Sequence, residues 1–133
     1  MNMMRRVALP AWTLLVWVPR IRNIWVDEAL SVPGQLLRTT WAVVFIGLAI
    51  GALWLAWRHA RSAVGWWRVF VIWTVGFWVV RGVQIAVAGH DAGFVAVHTV
   101  LALVSIGLAL WSWPSGREPD ARTTPPVHSA DHG

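Results

Sequence analysis

The chain has 133 residues, 57% of them hydrophobic and only 13% charged, with a mean hydropathy of +0.57. A soluble domain carries about twice that share of charge, so no polar shell can be built; long apolar runs with few charges belong to membrane proteins. The formal charge of +5 rests on eleven arginines and no lysine, and the lack of cysteine excludes disulfides, thiolate nucleophiles and Cys-ligated metal.

The first apolar run is VALPAWTLLVWVP, Val7 to Pro19, between Arg6 and Arg20. Its thirteen residues make roughly 20 Å of helix, short of a bilayer core. Arginines snorkelling at both ends extend it to a span of about residues 5–20. It resembles the apolar part of a signal peptide, but the Pro-Arg-Ile-Arg immediately after it offers no small-x-small cleavage site, so an uncleaved crossing anchor is expected.

Residues 20–38 then form the one sizeable outer loop. Ile21, Ile24, Trp25 and Ala29 recur there at helical spacing, opposite Arg20, Arg22, Asn23 and Asp27. This pattern predicts a short interfacial helix lying on the membrane surface and ended by Val32-Pro33-Gly34. The alternative is a docking surface for a partner outside the cytoplasm.

The second span covers residues 40–57, TWAVVFIGLAIGALWLAW. Gly47 and Gly51 form a GxxxG pattern, which lets helices approach closely, either within the chain or in a homodimer. The third span covers about residues 66–88 and contains Arg68 at its start and Arg81 inside; the fourth covers about residues 92–113.

Gly89-His90-Asp91 joins the last two spans into a tight antiparallel hairpin. Counting outward from this turn brings Arg81 and Gln84 level with His98 and Thr99, in a polar layer roughly 10–13 Å below the outer surface. Thr74, Arg81 and Gln84 share one helix face; Asp91, His98 and Ser105 share another. If the faces meet, neutral His98 accepts a hydrogen bond from Arg81, Gln84 bridges and Asp91 supplies countercharge. An unpartnered buried arginine would cost several kcal/mol. Arg81 is thus a structural clamp, a snorkelling residue, or part of a ligand, proton or ion site.

The tail, residues 114–133, is rich in proline and poor in large apolar side chains, so it is expected to be disordered and cytoplasmic. His128 and His132 would suit a metal only on a helix, which this tail has no reason to form. No metal or cofactor is expected elsewhere: His90 and His98 are too far apart on a helix to share an ion, His59 lies at the wrong face for bis-histidine haem, and no P-loop or dinucleotide glycine pattern occurs. A layer of arginine, glutamine and histidine supplies no nucleophile with an adjacent base, so no enzyme is expected.

Arginine counting sets the topology. With four crossings, Arg5, Arg6, Arg58, Arg61, Arg68, Arg117 and Arg122 share one side, against Arg20, Arg22 and Arg38. Three crossings would give five against five. The positive-inside rule therefore favours four passes through the cell (cytoplasmic) membrane with both termini cytoplasmic. Trp54, Trp57, Trp66, Trp67, Trp111 and Trp113 fall at the inner interface, and Trp25 and Trp41 near the outer one, as headgroup-level anchors. The arginines flank apolar runs and form no stripe, so no nucleic-acid partner is expected. No internal repeat supports an inverted-repeat transporter.

WTLLVWVPRIRNIW, VVRGVQIA and VHTVLALVSIGLA together resemble uncharacterised small multi-pass membrane proteins of high-GC Gram-positive bacteria. The resemblance covers about residues 7–113, implies location and pass number, and supplies no catalytic residues. The expected protein is an all-α membrane bundle over residues 1–113, with the lipid bilayer and a membrane-protein partner or second copy as its neighbours. The leading function is a non-catalytic accessory or scaffold component acting through helix–helix contacts. The alternatives are a small transporter or proton/ion pathway through Arg81, Gln84 and His98, and a holin-like permeabilising protein.

Overall fold

A computed structural model describes residues 3–58 and 62–114. They form four α-helices: α1 (Met3–Val26), α2 (Val32–Trp57), α3 (Ala63–Val87) and α4 (Ala92–Trp111). The expected disordered tail lies outside the described residues from 115 onward.

Helices α2, α3 and α4 are each long and apolar enough to cross a membrane. Helix α1 has 24 residues, about 36 Å of rise, but carries four arginines and two internal prolines, Pro10 and Pro19. A proline inside a helix loses one backbone bond and normally kinks or breaks it. Burial of Pro10 against neighbouring helices is the setting in which such interruptions are tolerated.

The helix starts arise from local chemistry. Ser31 caps α2, its Oγ accepting from Gly34 N at 3.4 Å, with proline in the first turn where no donor is missed. Asp91 caps α4, its Oδ1 accepting from Phe94 N at 3.0 Å. Gly89 turns the chain between α3 and α4 with φ of 66°, a conformation open to glycine at little cost.

Two expectations change here. Residues 20–26 do not form a separate interfacial helix; they prolong α1, and Ile24 is buried in it. Val32-Pro33-Gly34 does not end a helix but begins α2, because the Ser31 cap and a first-turn proline make it a start. The connection between α1 and α2 therefore shrinks to residues 27–31, and the apolar helix expected over residues 40–57 begins at Val32.

The helices pack in a ring, each against the next, with α1 closing on α4. Short loops make neighbours antiparallel. The α1–α2 contact is the most extensive. Ala42, Ala49 and Ala52 are buried on one side of α2 together with Phe45, and small side chains permit such close approach. Val18, Ile50, Ile72, Val83, Val100 and Leu103 are each more than half exposed. They come from all four helices and give the bundle an apolar exterior, a surface suited to lipid.

Candidate arginine-lined groove

One level of the bundle collects an ionisable side chain from each of the four helices. Arg20 lies six residues before the end of α1, Arg38 six after the start of α2, Arg81 six before the end of α3, and His98 six after the start of α4. Six residues are about 9 Å of helix. All four therefore sit at one depth below the end that carries the 27–31 and 88–91 loops.

Three of the four share a groove. Arg20, Arg38 and Arg81 line a cavity of about 770 Å³ with Gln84, and no carboxylate is among its lining residues. The three guanidiniums carry like charge and face one cavity, an arrangement in which they repel one another. Arg81 donates from Nη1 to Gln84 Oε1 at the long distance of 3.5 Å. Such a bond steers the side chain but does not neutralise it.

Below the arginines the groove is aromatic. Trp17 and Phe45 stack with centroids 4.4 Å apart, and Phe77 meets both edge-on, at 5.4 and 5.0 Å. Trp41 and Trp73 complete the cluster, 5.6 Å apart. These rings fix three helices at the same level and hold the arginine-bearing turns in place; edge-to-face pairs of this kind add about 0.5–1.5 kcal/mol each beyond burial. The Arg20 guanidinium sits over the Trp17 ring at 5.5 Å. The wall along α3 reads Val69, Ile72, Trp73, Gly76, Phe77, Val80 and Gln84, the single face of a 3.6-residue repeat.

The structure places the residues singled out from the sequence differently from the expected four-member layer. Arg81 meets Gln84, as level-matching within α3 allows, but the expected bond from Arg81 to His98 is not made. His98 Nδ1 instead contacts its own helix at Phe94 O, 2.9 Å away, and its ring packs on Phe94 with centroids 4.0 Å apart. A carbonyl only accepts, so Nδ1 carries the proton there. Nε2 is left as a buried acceptor with no partner. Thr99 points to the exterior of α4. Asp91 serves as the α4 cap rather than as countercharge. Ser105, on the His98 face, accepts from Trp12 Nε1 at 2.9 Å and so faces α1.

Other sequence features also separate. Gly51 packs under Trp66, while a side chain at Gly47 would meet nothing within 4 Å. Trp67 is buried, not interfacial; its Nε1 donates to Ser112 O at 2.8 Å and ties the start of α3 to the end of α4. Sequence reasoning missed Arg20 and Arg38 as partners of Arg81. The available signal was their equal distance from helix ends, hidden because both read as loop charges.

Comparison with protein-family models, with curated proteins and with solved structures returns no match for this chain.

Proposed function

We propose that the chain is a non-catalytic accessory or scaffold component of the cell membrane, crossing it four times with both ends on the cytoplasmic side. One observation carries this reading: the first half of α1 is joined to α4 at two levels. The Arg5 guanidinium lies over Trp111 at 5.3 Å, and Trp12 bonds Ser105. A helix bound in register to an apolar span shares its depth, so α1 crosses with the other three despite its arginines. The arginine count on the two sides then sets the orientation.

The chemistry of the groove supports a binding role. Arginine keeps its proton and offers planar donors to anions; it holds ligands and neither attacks nor relays protons. A second reading, a small transporter or ion pathway, is favoured by His98 Nε2, a buried acceptor at the arginine level. It requires flux in reconstituted vesicles that disappears in Arg81→Ala or His98→Ala.

Single cysteines test the topology cleanly, since the chain has none of its own. Placed at Ala29 and His90, they should react with an impermeant maleimide in intact cells. Placed at Met3, Ser62 and Trp113, they should react only after permeabilisation. Labelling of residue 3 from outside would reduce the passes to three and defeat the reading.

A further inference from the structure

We propose that the groove between α2 and α3 holds one anionic membrane lipid, its phosphate held by Arg20, Arg38 and Arg81 and an acyl chain lying along α3 from Val80 to Val69. This inference rests on the membrane reading above and names a ligand for it.

The charge argument comes first. Three arginines stand at one level, six residues inside three different helices, and no carboxylate lines the cavity that they share. Cations within an apolar slab are expensive unless paired. Neutral Gln84 supplies only one long bond. An anion that accepts from several guanidiniums at once removes the repulsion, and phosphate oxygens match the planar guanidinium fork.

The shape argument selects a lipid over a soluble phosphate. The cationic part is confined to the loop end, about 9 Å below it, which is headgroup to upper-chain depth. The remaining lining is apolar and exposed along its rim: Val69, Ile72 and Val80 are each more than half exposed. From Val80 to Val69 is eleven residues of α3, about 16 Å, running away from the arginines and through the middle of the helix. Gly76 lies midway along this face, and a Cβ there would meet nothing within 4 Å. Its missing side chain leaves a channel for a chain of methylenes. A free phosphate would leave this apolar wall unused.

The test is native mass spectrometry of the detergent-extracted full chain. It is offered phosphatidylglycerol and phosphatidylcholine of identical chains at equal mole fraction. One phosphatidylglycerol per chain should be retained, with about tenfold preference over phosphatidylcholine, because the two share a phosphate but only phosphatidylcholine adds a choline cation, which three guanidiniums repel. The preference should vanish in Arg38→Gln/Arg81→Gln. Retention of either lipid should fall in Gly76→Leu, which fills the channel without touching a guanidinium. Arg22→Gln, an exposed arginine outside the groove, should bind as wild type does.

Equal retention of the two lipids by the wild type overturns the proposal, whatever the variants do. Displacement of the lipid by inorganic phosphate overturns it in favour of a soluble anion. Should the double variant fail to fold, as read by near-ultraviolet circular dichroism, the wild-type competition and Gly76→Leu still decide. Cysteine labelling separates the two failures: a chain with the expected four-pass labelling and no lipid preference loses this inference alone.

Discussion

Gly51 on α2 lies directly beneath the indole of Trp66 on α3, and a Cβ built at Gly51 would stand 2.6 Å from the Trp66 ring. The same indole donates from Nε1 to Leu48 O at 3.0 Å. Gly51→Ala therefore either pushes the ring off that carbonyl or spreads the two helices. It should lower stability by about 1–3 kcal/mol, the range for overpacking. Gly47→Ala should change it by less than about 0.5 kcal/mol, since the added methyl meets open space. Unfolding in detergent, followed by circular dichroism, checks both. Equal losses at the two glycines, with a drop in self-association, would instead place the GxxxG pattern in a homodimer seam.

Asp91 offers a test of cap against countercharge. Its Oδ1 accepts from Phe94 N at 3.0 Å, a bond that asparagine can also make. Asp91→Asn should be nearly neutral, and Asp91→Ala should cost about 1 kcal/mol. A carboxylate acting as countercharge to Arg81 would lose as much to asparagine as to alanine. Thermal melts of the two variants distinguish the roles.

The sequence carried the local features of this fold and lost the convergent ones. The hairpin at Gly89-His90-Asp91 was legible because its signals are contiguous: a glycine for positive φ and an aspartate to cap α4. The depth of Arg81 and His98 came from counting outward from that turn. Arg20 and Arg38 were misassigned because Pro19 looked like an end and Val32-Pro33-Gly34 like another. Both prolines lie in helices, one inside α1 and one in the first turn of α2. Which face of α4 meets α1, and hence where Ser105 and His98 point, depends on ring closure. No local pattern encodes it.

Trp67 should be the costliest of the tryptophans near its end of the bundle. It is buried, and its Nε1 donates to Ser112 O at 2.8 Å. Trp67→Phe leaves that buried carbonyl without this donor and removes ring volume, a loss of about 1–3 kcal/mol. Trp57→Phe, at a position 79% exposed, should stay within about 0.5 kcal/mol. Denaturant midpoints in a single detergent compare the two. Matching small effects would return Trp67 to the interfacial role expected from its place in the chain.

The Trp12–Ser105 bond tests whether α1 closes the ring on α4. It joins α1 to α4 at 2.9 Å, across 93 residues of chain. Hydrogen bonds between membrane helices average about 0.6 kcal/mol and reach at most about 1.7 kcal/mol. Ser105→Ala and Trp12→Phe should each destabilise the fold, and the double variant should cost less than their sum by about that average. The coupling arises only if the two side chains meet, so it reports α1 docking independently of labelling. Strict additivity would detach α1 from α4 at this point, leaving Arg20 beside Arg38 only through the Trp17–Phe45 stack, and would remove the register with α4 from which a fourth crossing is argued.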